Sequence, residues 1–331
     1  AKVSKLGSIH RAFAILILVA VLAAQPFSAS AQNETPGLSM QARAAFQGYF
    51  KYGEWLPIWV ELQNNGPDIS GEITVRVSGS GGTMVFTTPV ELPTISHKRL
   101  SLFVLPNNFT RQLDVQFVAN GELAASQKIA LQPNPNISFI IGLIAPQRGA
   151  LSLINGIQLP GSMSRPVVIT DVTLSEIPER FEGLRSFDVL VINDVDTSNL
   201  SPEQGKALEN WVRQGGRLVI GGGAGMQRTA AGLPESLLPL VPTGSIEIQD
   251  VSGLPALATT SDQSIALPEI RVPGPFVLAT GNLVNGRVLI TQDQTPLLVE
   301  QTLGSGSIDL VMLDRAVSPF DAWSGTTLFW Q

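Results

Sequence analysis

Asp194 and Asp196 stand just past the apolar run Phe187-Asp188-Val189-Leu190-Val191-Ile192. Two carboxylates at the carboxyl edge of a sheet strand are placed where open α/β sheets bind ligands, so a metal or sugar contact is one reading. The other is that Asn193-Asp194 simply forms a loop, since both residue types stabilise turns through their own side chains. Gly221-Gly222-Gly223-Ala224-Gly225 follows a second apolar run and would let a backbone approach a phosphate. It lacks both the dinucleotide spacing and a following Lys-Ser or Lys-Thr, which leaves a structural turn, with glycine at Gly222 expected to supply a positive φ. His97 sits beside Lys98 and Arg99 with no partner at metal-ligand spacing, and reads as a solvated strand-end residue. Tyr49, Tyr52, Trp55 and Trp59 offer aromatic faces for a carbohydrate, against a reading as core and rim residues.

Other chemistries lack their groups. The chain has no cysteine, which removes a thiol nucleophile, a disulfide framework and a lipoprotein attachment. No Gly-x-Ser-x-Gly precedes a helix, and no histidine follows His97, so a serine hydrolase has neither elbow nor base. Net charge is −6 and the basic residues are scattered, which argues against nucleic acid. These residues imply no cofactor and no metal.

The elements that must hold these residues differ along the chain. Residues 1–31 read as a signal peptide. Lys2, Lys5 and Arg11 precede the apolar run Ala12 to Ala24, and Ala29-Ser30-Ala31 supplies the small residues a signal peptidase needs, with cleavage expected after Ala31. The run falls short of the roughly 20 apolar residues a membrane span requires. Residues 32–132 alternate apolar and polar positions, as in Gly71-Glu72-Ile73-Thr74-Val75-Arg76-Val77, between turns such as Asn64-Asn65-Gly66-Pro67. That pattern predicts an all-β, immunoglobulin-like β-sandwich. Gln132-Pro133-Asn134-Pro135-Asn136 reads as a stiff linker, because each proline fixes its φ and extends the residue before it.

Residues 133–331 switch to an α/β pattern. Ile137 to Ala145, Pro166 to Asp171, Phe187 to Ile192 and Arg217 to Ile220 are continuous apolar runs, as strands buried on both faces of a parallel sheet require. A short helix is predicted around Ala150 to Ile157. The best-marked helix starts with Ser201 as N-cap, Pro202 at the first position and Gln204 closing a capping box, and ends at Gly215-Gly216. Its apolar face is Ala207, Leu208, Trp211 and Val212. Strands at 286–290, 296–300 and 307–313 are expected to extend the sheet antiparallel.

The stretches Phe187 to Ile192, Leu200-Ser201-Pro202-Glu203-Gln204 and Leu208 to Gly222, with the turn Gly304-Ser305-Gly306-Ser307-Ile308, resemble the class I glutamine amidotransferase-like superfamily, in its ThuA-like, flavodoxin-like branch. The resemblance implies a three-layer domain with a mostly parallel sheet and antiparallel additions. In catalytic members a cysteine sits on the sharp turn after a sheet strand and a histidine activates it. Here the matching turn carries Gly221, Gly222 and Gly223, and the domain holds no histidine.

Three function classes follow. The first is a non-catalytic cell-envelope protein that binds or scaffolds, with an envelope protein or a glycan as partner. The second is a carboxylate-dependent hydrolase or carbohydrate-active enzyme using Asp194 and Asp196. The third is a ligand-binding component of an envelope transport system. The final segment, Asp321 to Gln331, is apolar and uncapped, which suggests a fragment of a longer chain. By resemblance, exported proteins of this superfamily continue into a membrane anchor, so anchoring beyond Gln331 is expected.

Overall fold

The computed structural model describes residues 35–79, 81–146, 165–249, 251 and 275–316, all within one compact unit, Glu34–Gln331. The signal-peptide reading, the helix expected near Ala150 and the apolar C-terminal segment lie outside the described residues. The chain is mostly β, with several sheets, one of them mixed in strand direction, and few helices. Among the described residues, no helix is long and apolar enough to cross a membrane.

The first part carries strands β1 (Leu38–Ala44), β2 (Tyr49–Lys51), β3 (Leu56–Asn64), β4 (Ile69–Gly79), β5 (Gly82–Leu92), β6 (Ser96–Val104), β7 (Gln112–Ala119) and β8 (Glu122–Ala130). They form a three-stranded sheet in the order β1-β3-β6 and a four-stranded sheet in the order β5-β4-β7-β8, antiparallel throughout. Period-two patterning explains the layout. In β1, Leu38, Met40, Ala42 and Ala44 are buried and the residues between them are exposed. Ile58, Val60 and Leu62 of β3 and Ile73, Val75 and Phe117 of the other sheet lie in the same core.

Gln132–Asn134, expected to be a stiff linker, is instead a strand, β9, paired in parallel with β2. Pro133 lacks an N–H, yet a short edge pairing survives because Tyr52 N–H also donates to Asn134 O at 2.9 Å.

Strands β10 (Phe139–Ile144), β11 (Val167–Asp171), β12 (Val189–Asn193), β13 (Arg217–Gly221), β16 (Arg287–Gln292), β17 (Thr295–Leu303) and β18 (Gly306–Val311) make a seven-stranded sheet in the order β11-β10-β12-β13-β18-β17-β16. The first five in that order run parallel. Among the described residues, β17 and β16 are the strands added by antiparallel pairing. The expectation that the 307–313 strand would extend the sheet antiparallel is corrected: β18 lies against β13 in parallel, and Ile308, Leu310 and Val311 are buried there. A strand so apolar gains most from a central position covered on both faces. A separate antiparallel pair is formed by β14 (Leu240–Ile248) and β15 (Phe276–Leu283).

Helix α1 (Pro202–Arg213) is capped as its residues dictate. Gln204 N–H donates to Ser201 Oγ at 3.1 Å, and Ser201 N–H donates to Gln204 Oε1 at 2.9 Å. Ala207, Leu208, Trp211 and Val212 are buried. The chain leaves through Gly215 at φ 115°, and a Cβ on Gly216 would strike the Trp211 ring, so this turn needs both glycines. A short helix, α2 (Met226–Ala230), follows β13.

Candidate polar seam at the carboxyl edge of the sheet

β11 lies on one side of β10 and β12 on the other, so the strand order reverses at β10. Such a reversal parts the loops leaving the carboxyl ends of the strands. The loop after β10 lies outside the described residues beyond Pro146; the loops after β12 and β13 are described, and the segment after β18 as far as Ala316.

Asn193 closes β12 with only 1% of its surface exposed. Its Nδ2 donates to Asp314 Oδ1 at 2.8 Å, and among the described residues its Oδ1 has no hydrogen-bond partner. Asp314 Oδ1 also accepts the Ala316 N–H at 2.8 Å. The next residue, Arg315, is 3% exposed. Burial pushes its guanidinium down to about 10, with the Asp314 carboxylate pulling the other way.

Asp194 takes φ 52°, a left-handed conformation that aspartate tolerates better than most side chains. Its N–H donates to Gly221 O at 3.0 Å. Its Oδ1 accepts Arg228 Nη2 at 2.6 Å, an ion pair reaching from α2. Asp196 turns elsewhere: its Oδ1 accepts the Ser198 N–H at 3.0 Å, and Ser198 holds its carboxyl below the usual range. Thr197, next after Asp196 and fully buried, donates to Thr229 O at 3.0 Å and accepts the Gly232 N–H at 2.9 Å. The loop is thereby stitched to the far end of α2. The two acids expected to act together are thus engaged separately, one by a cation and one by its own turn.

The glycine turn after β13 is structural at identifiable positions. Gly222, expected to supply the positive φ, has φ 161° and lies outside the left-handed region, so that expectation is corrected. The left-handed residue is Gly223, at φ 46°, where a Cβ would stand 2.9 Å from Asp314 N and 3.2 Å from Val277 O. A Cβ on Gly225 would collide with the Asp194 carboxylate. Gly221 ends β13, and a Cβ there would lie 2.6 Å from Asn193 Oδ1. These glycines make room for neighbouring protein groups.

Sequence reasoning found Asp194, Asp196 and the glycines, and missed Asn193 as an anchor, Arg228, Asp314 and Arg315. The available signal was a repeated arrangement: an apolar strand followed at once by polar residues, Asn193-Asp194 after β12 and Asp314-Arg315 after the Ile308 to Leu313 run. Among the described residues, no group of three or more His, Cys, Asp or Glu side chains is placed to hold a metal ion.

Tyr52, Trp55 and Trp59 each meet a separate partner within the protein. Tyr52 stacks on Phe109 at 5.3 Å, Trp55 meets Phe86 edge-on at 6.0 Å, and Arg99 lies over Trp59 at 5.2 Å. His97 is exposed on β6, opposite Gln63 of β3.

No curated protein matches the chain. Among solved structures it is similar to an alkylpurine DNA glycosylase, AlkC, from Pseudomonas fluorescens, bound to DNA containing an abasic site analogue. That match has 14% identity and a TM-score of 0.23, over 29% of this chain and 30% of that one. A FixG-related protein from Vibrio parahaemolyticus matches at 10% identity and TM-score 0.22, over 30% of this chain and 99% of that one. The CARDB domain of the PF1109 protein from Pyrococcus furiosus, in complex with di-metal ions, matches at 11% identity and TM-score 0.21, over 30% of this chain and 92% of that one. Residues 37–132 match the family described as a domain of unknown function, DUF8726. Residues 165–331, half of the chain, match a second such family, and the protein belongs to it: the domain of unknown function DUF7408.

Proposed function

We propose that the protein is a non-catalytic binding or scaffolding component of the cell envelope. In this reading residues 32–132 are an immunoglobulin-like sandwich and residues 133–331 an amidotransferase-like three-layer domain. The basic, apolar and small-residue order of residues 1–31 supports export. The observation that carries the proposal is the Asp194 to Arg228 ion pair at the carboxyl edge of β12. The acid best placed for chemistry is held as a charge-paired acceptor, and the neighbouring Asp314 accepts two N–H groups from its own domain. A general acid or base needs a proton it can exchange with substrate, and these carboxylates are engaged by partners of their own fold, Asp194 by Arg228 and Asp314 by Asn193 and the Ala316 N–H. The turn after Ile220 supports the same reading, because glycine stands where catalytic relatives carry the nucleophile. An envelope protein or a glycan is the partner class.

The test replaces Asp194 and Asp196 together by asparagine, which keeps size and turn propensity while removing charge. Circular dichroism is expected to stay unchanged, with stability falling by no more than about 1 kcal/mol, as for an exposed ion pair. Hydrolysis of glycoside and ester substrates and divalent-cation binding by calorimetry are compared between parent and variant. A hydrolytic activity or metal affinity that the double change abolishes without unfolding would replace this reading with a carboxylate-dependent enzyme or metal site.

A further inference from the structure

Four Asn-Gly pairs stand in the sequence: Asn65-Gly66, Asn120-Gly121, Asn155-Gly156 and Asn285-Gly286. Asparagine is chemically least stable in such a pair, because glycine has no Cβ to keep its backbone nitrogen away from the preceding carboxamide. The third pair lies outside the described residues. In the other three the asparagine is exposed, and the fold restrains each pair differently.

Asn65 is pinned on both sides. Its N–H donates to Gly37 O at 2.7 Å, and the Gly66 N–H donates to Asn64 Oδ1 at 2.9 Å, so the nitrogen that would attack is engaged. Asn120 and Gly121 take φ 53° and 80° as the two-residue turn between β7 and β8, whose flanking residues Ala119 and Glu122 pair. Ring closure needs the glycine nitrogen to swing to the side of the asparagine Cβ, out of left-handed backbone, so this hairpin must open first. Asn285 carries neither restraint. It stays out of the left-handed region, and among the described residues neither its carboxamide nor the Gly286 N–H has a hydrogen-bond partner. Glycine is required after it: Gly286 has φ 142°, and a Cβ there would stand 2.8 Å from Glu300 O. The turn between β15 and β16 thus demands the very residue that makes Asn285 labile.

We infer that Asn285 is a site of spontaneous modification, deamidated in the folded protein ahead of Asn65 and Asn120. The Gly286 nitrogen, having lost its proton, attacks the side-chain carbonyl carbon of Asn285. A C–N bond forms, the C–NH2 bond breaks, and ammonia leaves with a proton from the solvent. Water then opens the cyclic imide at either carbonyl, giving aspartate or isoaspartate, with no enzyme and no change of oxidation state. Either product adds a carboxylate two residues from Arg287, which pairs with Glu300 at 2.9 Å. Isoaspartate also routes the main chain through the side chain, lengthening the link from β15 into β16, the outer strand of the seven-stranded sheet.

The test incubates the purified chain in mildly alkaline buffer, which favours the attacking nitrogen, and follows each Asn-Gly peptide by mass spectrometry and by enzymatic labelling of isoaspartate. In the folded chain Asn285 is expected to convert about tenfold faster than Asn65 or Asn120, since those two must first open their local structure. In guanidinium the three are expected to convert at similar rates, because the same pair of residues reacts without a fold around it. Asn285→Gln, whose longer side chain closes a ring far more slowly, is expected to remove the fast phase and leave circular dichroism unchanged. Conversion of Asn65 or Asn120 as early as Asn285 in the folded chain overturns the inference. So does an Asn285 that reacts only after unfolding, or the same order of rates in the folded and unfolded chains.

Discussion

Lys51 Nζ lies 2.5 Å from Asp188 Oδ2, and the same carboxylate oxygen accepts the Ile140 N–H at 2.8 Å. Lys51 ends β2 in the first part of the chain, while Asp188 immediately precedes β12 of the mixed sheet. The bond therefore ties the two sequence patterns together, beside Arg43 to Glu176 at 2.6 Å and the edge-on contact of Phe46 with Phe187 at 4.8 Å. Lys51 is only 8% exposed, so losing its partner leaves a cation in poor solvent.

Asp188→Asn is expected to lower stability by about 1 to 3 kcal/mol, read as a shift of the denaturant midpoint without a change of slope. The same linkage predicts that limited proteolysis of the parent does not cut early between Gln132 and Asn134. Backbone paired as β9 must open before a protease can bind it. Early cleavage there in the parent would contradict the pairing, and faster cleavage there in D188N would support it.

Gly223→Val is expected to cost about 1 to 3 kcal/mol, because a β-branched residue is forced into left-handed backbone. Gly222→Ala places its Cβ 3.1 Å from Thr229 Oγ1 and 3.2 Å from Met226 N, tight contacts but without left-handed backbone, and is expected to cost less. Melting temperatures of the two variants rank them. The reverse order would show that crowding around Gly222 outweighs backbone strain at Gly223.

Glu209 on α1 bonds Lys206 at 2.9 Å and Arg213 at 2.8 Å, and these two cations hold its carboxyl below 4.5. A carboxyl lowered by folding contributes stability that is fully present above its unfolded value and is lost as pH falls through the folded one. Stability is thus expected to decline below about pH 4.5 in part through this group, and Glu209→Gln to flatten that acid limb while costing little at more acidic pH. Denaturant titrations at a series of pH values check it. A variant whose acid limb keeps the parent's slope would assign the acid sensitivity elsewhere.

Local order was legible in the residues themselves. Ser201, Pro202 and Gln204 set the start of α1, the alternation of β1 and β4 set their buried faces, and the apolar runs marked the strands of the parallel sheet. Each of these depends on neighbours within a few positions, where propensity, capping and period act directly. Tertiary structure alone decided that β18 sits beside β13 in parallel, that the proline-rich segment pairs with β2, and that Asp194 closes on Arg228 rather than joining Asp196. It likewise moved the strained glycine from Gly222 to Gly223. Those choices join residues far apart in the chain, and their free energy comes from burying shared surface and satisfying each buried polar group once. No local pattern carries that information, because the partner of a strand edge or a carboxylate is fixed only when the whole core closes around it.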